Sequence, residues 1–142
     1  MNIAIGGDHA SPALKQAIIE KFTNEGHVFI NFGTDDNSSV DYPDFGHPVA
    51  KAVEDKSADL GIVICGSGNG INMTVNKHAG IRSALCWNTE LASLARQHNN
   101  ANVLALPARF ISKEVALAIV EAFLKASFEG GRHQKRVEKI NC

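Results

Sequence analysis

A cysteine closes one apolar run of the chain and is followed at once by three glycines in five positions: Cys65, Gly66, Ser67, Gly68, Asn69, Gly70. A strand–turn–helix junction of this kind lets successive backbone N–H groups point at an anion near a helix N-terminus, so it suits a phosphate or an oxyanion. The same dipoles favour a thiolate at Cys65. Free cysteine is also among the most buried residue types, and position alone leaves a reactive and a merely packed thiol both open. The turn fails the dinucleotide fingerprint G-x-G-x-x-G, which needs glycine where Ile71 stands, and no G-x-x-x-x-G-K-[ST] occurs in the chain.

Other residues carry chemistry of their own. Asp8 and His9, in "GGDHA", follow the first apolar run and suit sugar hydroxyls or a phosphate. Their plainer reading is a helix cap at Asp8 and an idle surface His9. No further histidine or carboxylate stands at zinc or facial-triad spacing, so no metal is expected. His98 and Asn99 precede the fifth apolar run, where they read either as an acid–base group with an oxyanion donor or as a helix C-cap. Arg132 and Arg136 are four residues apart and share a face if helical. With Arg109 they could hold a phosphate dianion by bidentate contacts; a solvated basic face is the alternative. Cys86 and Cys142 have no glycine turn beside them and read as structural or surface thiols.

These residues must be positioned by short apolar runs that alternate with helical patterns. The runs predict strands at Asn2–Gly6, His27–Asn31, Leu60–Cys65, Arg82–Cys86 and Asn102–Leu106, covered on both faces because they are apolar without alternation. Between them, Ser11 and Pro12 read as the cap and first turn of a helix carrying Leu14, Ile18, Ile19 and Phe22 and stopped at Gly26. Asn88 and Ser112 are similar caps, the second opening a helix with the stripe Val115, Ile119, Val120 and Phe123. Weaker helices are expected over 44–56 and 71–76, and a last one after "EGG". The fold class is α/β: a Rossmann-like three-layer α/β/α sandwich on a five-stranded parallel sheet. Ligands of such sheets bind at the carboxyl ends of the strands, so all the candidate residues are expected at one edge.

Composition narrows the function. The chain has 142 residues, 14 Lys and Arg against 15 Asp and Glu, and a formal charge of −1, which gives no overall field for nucleic acid or an anionic membrane. One domain spanning 1–142 is expected, with 130–142 as a tail able to reach a partner subunit. Three cysteines without metal spacing suit a reducing compartment, and no leader or membrane-span pattern is visible, so a cytoplasmic setting is expected.

Six blocks in order, "GGDHASPALK", "DYPDF", "CGSGNGI", "NKHAGIRSALC", "RQHNNANVLALPAR" and "EGGRHQKRV", make the chain resemble type B ribose-5-phosphate isomerases and the related galactose-6-phosphate isomerase subunits. The resemblance implies a cofactor-free aldose–ketose isomerase working through a cis-enediolate, with Cys65 as base and His98 opening the sugar ring. It further implies Ser67 at the O1 and O2 oxygens, Asp8 at the sugar hydroxyls, the loop N–H groups of Gly66, Gly68, Asn69 and Gly70 on the oxyanion, Asn99 on the enediolate, and Tyr42 flanking the sugar. His9, Arg109, Arg132 and Arg136 match the phosphate ligands. One branch of the family uses a glutamate just after the glycine loop as base; that position is Ile71 here, which cannot take a proton. Ser67 replaces a common threonine, and Ser11 a common glycine at the helix cap. Sites of the family are completed across a dimer, so a homodimer or larger homo-oligomer is implied. A six-carbon aldose 6-phosphate, such as allose or galactose 6-phosphate, and a catalytically silent sugar-phosphate binder are the alternatives.

Overall fold

Five strands and six helices alternate through residues 1–142 of the computed structural model. They are β1 (Asn2–Gly7), α1 (Pro12–Asn24), β2 (Val28–Asn31), α2 (Pro43–Glu54), β3 (Leu60–Cys65), α3 (Asn69–Val75), β4 (Ser83–Leu85), α4 (Thr89–Gln97), β5 (Val103–Pro107), α5 (Lys113–Lys125) and α6 (Arg132–Glu138). All strand pairings are parallel, in the order β2-β1-β3-β5-β4. The expected α/β class and five-stranded parallel sheet therefore hold.

Strand alternation divides the core into two layers. Ile3, Ile5, Ile62, Ile64, Leu104 and Leu106 face α1, α4 and α5 together with Phe22, Ile119 and Phe123. Burying each of these large side chains is worth roughly 1.5–3 kcal/mol. The opposite face is built from smaller residues, Ala4, Val63, Val103 and Ala105, and receives Val49, Ile71 and Val75 from α2 and α3. Small residues draw α2 close: a Cβ on Gly61 would lie 2.8 Å from Val49 Cγ1. Cys65 belongs to this second face, so its thiol is on the side of α2 and α3.

Three expectations are corrected. Only β3 and β5 are wholly buried strands, with β1 buried from Ile3 onward; β2 and β4 lie at the sheet edges and are partly exposed. Ser11 precedes α1 without capping it: the side chain is buried and its hydroxyl donates to the Asp8 carbonyl at 2.7 Å. Val115 is 41 % exposed and Ala116 takes its place in the stripe, because the buried set of α5 is Ala116, Ile119, Val120 and Phe123. Asn88 and Ser112 do cap α4 and α5, accepting from Leu91 N at 2.9 Å and Val115 N at 3.1 Å. Lys15 is only 1 % exposed, and its ammonium binds Asn31 Oδ1 at 2.9 Å and the Asp35 carboxylate, pinning the segment after β2 onto α1. That bond, with help from Asn31, holds the Asp35 carboxyl below its ordinary range.

Candidate active site

The glycine turn joins β3 to α3, and its glycines have separate reasons to be there. Gly68 has φ +76°, the left-handed region, and a side chain on it would strike Leu85 Cδ1 at 2.4 Å. Beside Gly66 lies the Arg109 guanidinium, 3.0 Å from where a Cβ would stand, and beside Gly70 the Tyr42 ring, at 2.5 Å. The turn is therefore shaped by close approach of two polar side chains. The N–H groups of Gly66, Ser67, Gly68 and Gly70 have no acceptor within the chain, while Asn69 N donates to Ser67 Oγ at 3.3 Å. Four donors left over around one turn form a cradle for negative charge.

Neighbouring strand exits are stitched to this turn by main-chain bonds. Asp8 N donates to Ile64 O at 3.1 Å, which puts the buried Asp8 beside the end of β3. Its Oδ1 accepts from Ala10 N at 3.0 Å, a local turn ahead of α1. Ala108 N donates to Cys65 O and Arg109 N to Gly66 O, each at 3.0 Å, so the β5 exit delivers Arg109. His9 Nδ1 accepts from Val40 N at 3.2 Å, which leaves the imidazole proton on Nε2 as an outward donor. Cys65 itself is 4 % exposed at the floor of this group. Cys86, by contrast, is buried without donors, and desolvation pushes its thiol up to about 12; it is inert at neutral pH.

His98, Asn99, Arg132 and Arg136 do not join them. Helix α4 runs back from the carboxyl end of β4, so His98 caps its far end at the amino-terminal edge of the sheet, and α5 returns the tail to the same edge. Cys65 pairs with Pro107 and Gly61 with Val103, four residue steps, so the two groups are separated by at least roughly 13 Å of strand at ~3.3 Å per residue. The expectation of one shared edge within one chain is thus overturned by the antiparallel return of each crossover helix.

The second group has its own order. The His98 and His133 rings stack at 4.1 Å, tilted by only 14°, and both Nε2 atoms approach Glu129 Oε1, at 3.8 and 3.6 Å. Burial, then the charges of His98 and Arg132, hold His133 below its ordinary value, so it is neutral near pH 7. Glu129 and His133 join this group beyond the residues expected from the sequence; their four-residue spacing within "EGGRHQKR" is the signal that marks them, beside the arginines of the same motif. A cavity of about 730 Å³ opens at this end, lined by Lys77, His78, Arg82 and Asn99 among others.

The chain thus presents two partial sites, one of backbone donors beside a thiol and one of imidazoles and guanidiniums. The family model described as Ribose/Galactose Isomerase matches residues 3–140. The chain belongs to this family. It is 46 % identical over 140 residues to ribose-5-phosphate isomerase B of Escherichia coli, covering 99 % of this chain and 94 % of the relative. Among solved structures, a Clostridium thermocellum ribose-5-phosphate isomerase B superposes with a TM-score of 0.97 at 51 % identity, covering 99 % of this chain and 95 % of that one. A Mycoplasma genitalium family member, solved with bound ribulose 5-phosphate, superposes with a TM-score of 0.94 at 45 % identity, over 98 % of this chain and 93 % of that one. Ile71, just after the loop, is fully buried and carries no ionisable group, and Cys65 stands at the head of the loop.

Proposed function

We propose that the protein interconverts ribose 5-phosphate and ribulose 5-phosphate, moving a proton between C2 and C1 through a cis-enediolate. The observation that carries this reading is the thiol of Cys65 at the foot of a turn with four uncommitted N–H donors. His98 gives a proton to the ring oxygen and takes one from the C1 hydroxyl, opening the furanose to the aldehyde. Cys65, as thiolate, then removes the proton from C2; the electron pair forms the C1–C2 double bond and the aldehyde oxygen becomes an oxyanion. The C2 hydroxyl proton then moves to the O1 oxyanion, with Ser67 between the two oxygens, and protonation at C1 by the same thiol gives the ketose and returns Cys65 to the thiolate. C1 is reduced as C2 is oxidised, so the reaction needs no external electron carrier, and the reading includes no cofactor or metal.

The N–H groups of Gly66, Ser67, Gly68 and Gly70 meet the oxyanion where charge develops, the kind of fixed donor worth about 10²–10³ in rate. Ser67 contacts O1 and O2, Asn69 shapes the loop, Asp8 holds sugar hydroxyls, Tyr42 flanks the sugar and Asn99 binds the enediolate. His9, Arg109, Arg132 and Arg136 share the phosphate. Because the Cys65 and His98 groups lie at opposite sheet ends, a working site needs the second group from another copy, and the reading includes a homodimer in which 130–142 reaches the partner's glycine turn. The chain is then a single isomerase domain over 1–142, and a reducing cytoplasmic setting keeps Cys65 as thiol. No helix is long and apolar enough to cross a membrane.

The test is the initial rate of ribulose 5-phosphate formation from ribose 5-phosphate by the purified protein in excess EDTA with reductant. Robust turnover is expected. Turnover confined to six-carbon aldose 6-phosphates would move the substrate assignment, and none with any sugar phosphate would overturn the enzyme reading.

A further inference from the structure

The turn that carries His98 and Asn99 leaves helical geometry at Asn100, which has φ +48°. Its main-chain carbonyls past the end of α4 need donors. Arg82, one residue before β4, provides them: its Nε donates to Asn99 O at 3.2 Å and to Asn100 O at 3.0 Å. Arg82 is itself clamped by Asn102, whose Oδ1 accepts from Arg82 N at 2.8 Å and whose N donates to Arg82 O at 2.9 Å. Asn102 Nδ2 in turn donates to Gly80 O at 2.8 Å. From the far side Arg96 donates to Ala101 O, so the short segment after α4 is gripped by two guanidiniums and one amide. A cation at a helix C-terminus also meets the negative end of the helix dipole.

We propose that Arg82 is a positioning residue for ring opening: by tying the carbonyls of Asn99 and Asn100 it fixes the turn that aims the His98 imidazole at the sugar. The inference rests on the reading of His98 as the ring-opening group. Only the backbone after His98 is held by Arg82; the ring is held by its stack on His133. Freed of Arg82, the turn lets the His98 ring drift relative to a substrate bound at the glycine turn of another copy. Misplacement of a catalytic group by about 1 Å costs on the order of 10²-fold.

Substrate chemistry supplies a readout that general damage would not move. Ribose 5-phosphate closes a furanose ring, whereas ribulose 5-phosphate is acyclic because its C5 oxygen carries the phosphate. Exchange of the C1 hydrogen of ribulose 5-phosphate with deuterated solvent therefore needs the enediolate step alone, while net conversion of ribose 5-phosphate needs ring opening as well. Both rates are measured by NMR on wild type, Arg82→Met, Arg82→Lys and His98→Asn. In Arg82→Met the ratio of exchange to net conversion rises by about tenfold or more, and Arg82→Lys, which keeps a donor, recovers part of it. His98→Asn shows a rise at least as large. Equal loss of both rates in the two Arg82 variants, or no change in either, overturns the positioning role. A His98→Asn protein with an unchanged ratio overturns the ring-opening reading itself, and the inference with it.

Discussion

The two ends of the sheet are built on different principles. At the carboxyl end the chemistry is carried by main chain: a turn whose N–H groups converge, stitched to its neighbours through Asp8 N, Ala108 N and Arg109 N. At the amino end it is carried by side chains, with His98, Glu129 and His133 in van der Waals contact and Arg132 and Arg136 exposed on a helix of seven residues. The difference suits the tasks proposed for each end. Stabilising an oxyanion needs donors that do not reorganise, which a backbone turn locked between strands provides. Moving protons and gripping a phosphate need ionisable or forked groups, which only side chains supply. In the proposed reaction neither end is sufficient alone, and their separation along one sheet is what makes the proposed site require a second copy.

The sharpest way to break the comparison is at the thiol. Cys65→Ala removes the proposed base and leaves the donors, so kcat should fall by about 10³-fold or more with little change in the affinity for ribose 5-phosphate. Steady-state rates with a binding titration check this, and unchanged turnover would remove Cys65 from the mechanism. Next comes complementation. Cys65→Ala and His98→Asn homodimers should each be nearly inactive, yet mixing them through unfolding and refolding should restore a mixed dimer with one intact site. Activity that stays at the level of the separate variants would show that the two ends do not meet across copies.

A smaller effect comes from the packing inside one end. Gly70→Ala places a Cβ 2.5 Å from the Tyr42 ring, so the ring must turn out. Tyr42 is 39 % exposed and the clash is with the far end of its ring, so the unfolding midpoint should change little while KM for the sugar phosphate rises. Adding Tyr42→Ala should leave KM high in steady-state rates, because relief of the clash does not replace the lost wall of the site.

Most of this architecture was readable before any coordinates. The interior strands β1, β3 and β5 are runs of Ile, Val, Leu and Ala without polar interruption, and Asn88 and Ser112 announced their helices because an N-cap is a local device. Ser11 misled because the same hydroxyl that caps a helix also satisfies a carbonyl, here that of Asp8, and only the tertiary position of Gly7 and Ile64 decides. The positions of Cys65 and of the arginines could be named from their motifs. Their separation was missed, although alternation of parallel strands and returning helices implies it: a residue that ends a helix before a strand is at the opposite edge from one that ends a strand. Arg82 left no signal, since a lone arginine before a strand says nothing of the two carbonyls it will meet.

The smallest expected effect probes the amino end through protons. His133 is buried against His98, and its imidazole is held below the ordinary 6.5, first by desolvation and then by the charges of His98 and Arg132. As pH falls past 6.5 the unfolded chain takes up a proton there that the native chain refuses, so unfolding becomes easier. The contribution is complete above the ordinary histidine value, and its loss is finished once pH drops below the native one. Asp35 and Glu54 have carboxyls held below their ordinary 3.8 and 4.5, so their losses begin only further into acid. Urea midpoints followed from about pH 7.5 to about pH 5.5, at fixed protein concentration, should therefore fall less steeply for His133→Gln than for wild type. Parallel lines would show that His133 titrates alike folded and unfolded, and that the stack on His98 places no demand on its charge.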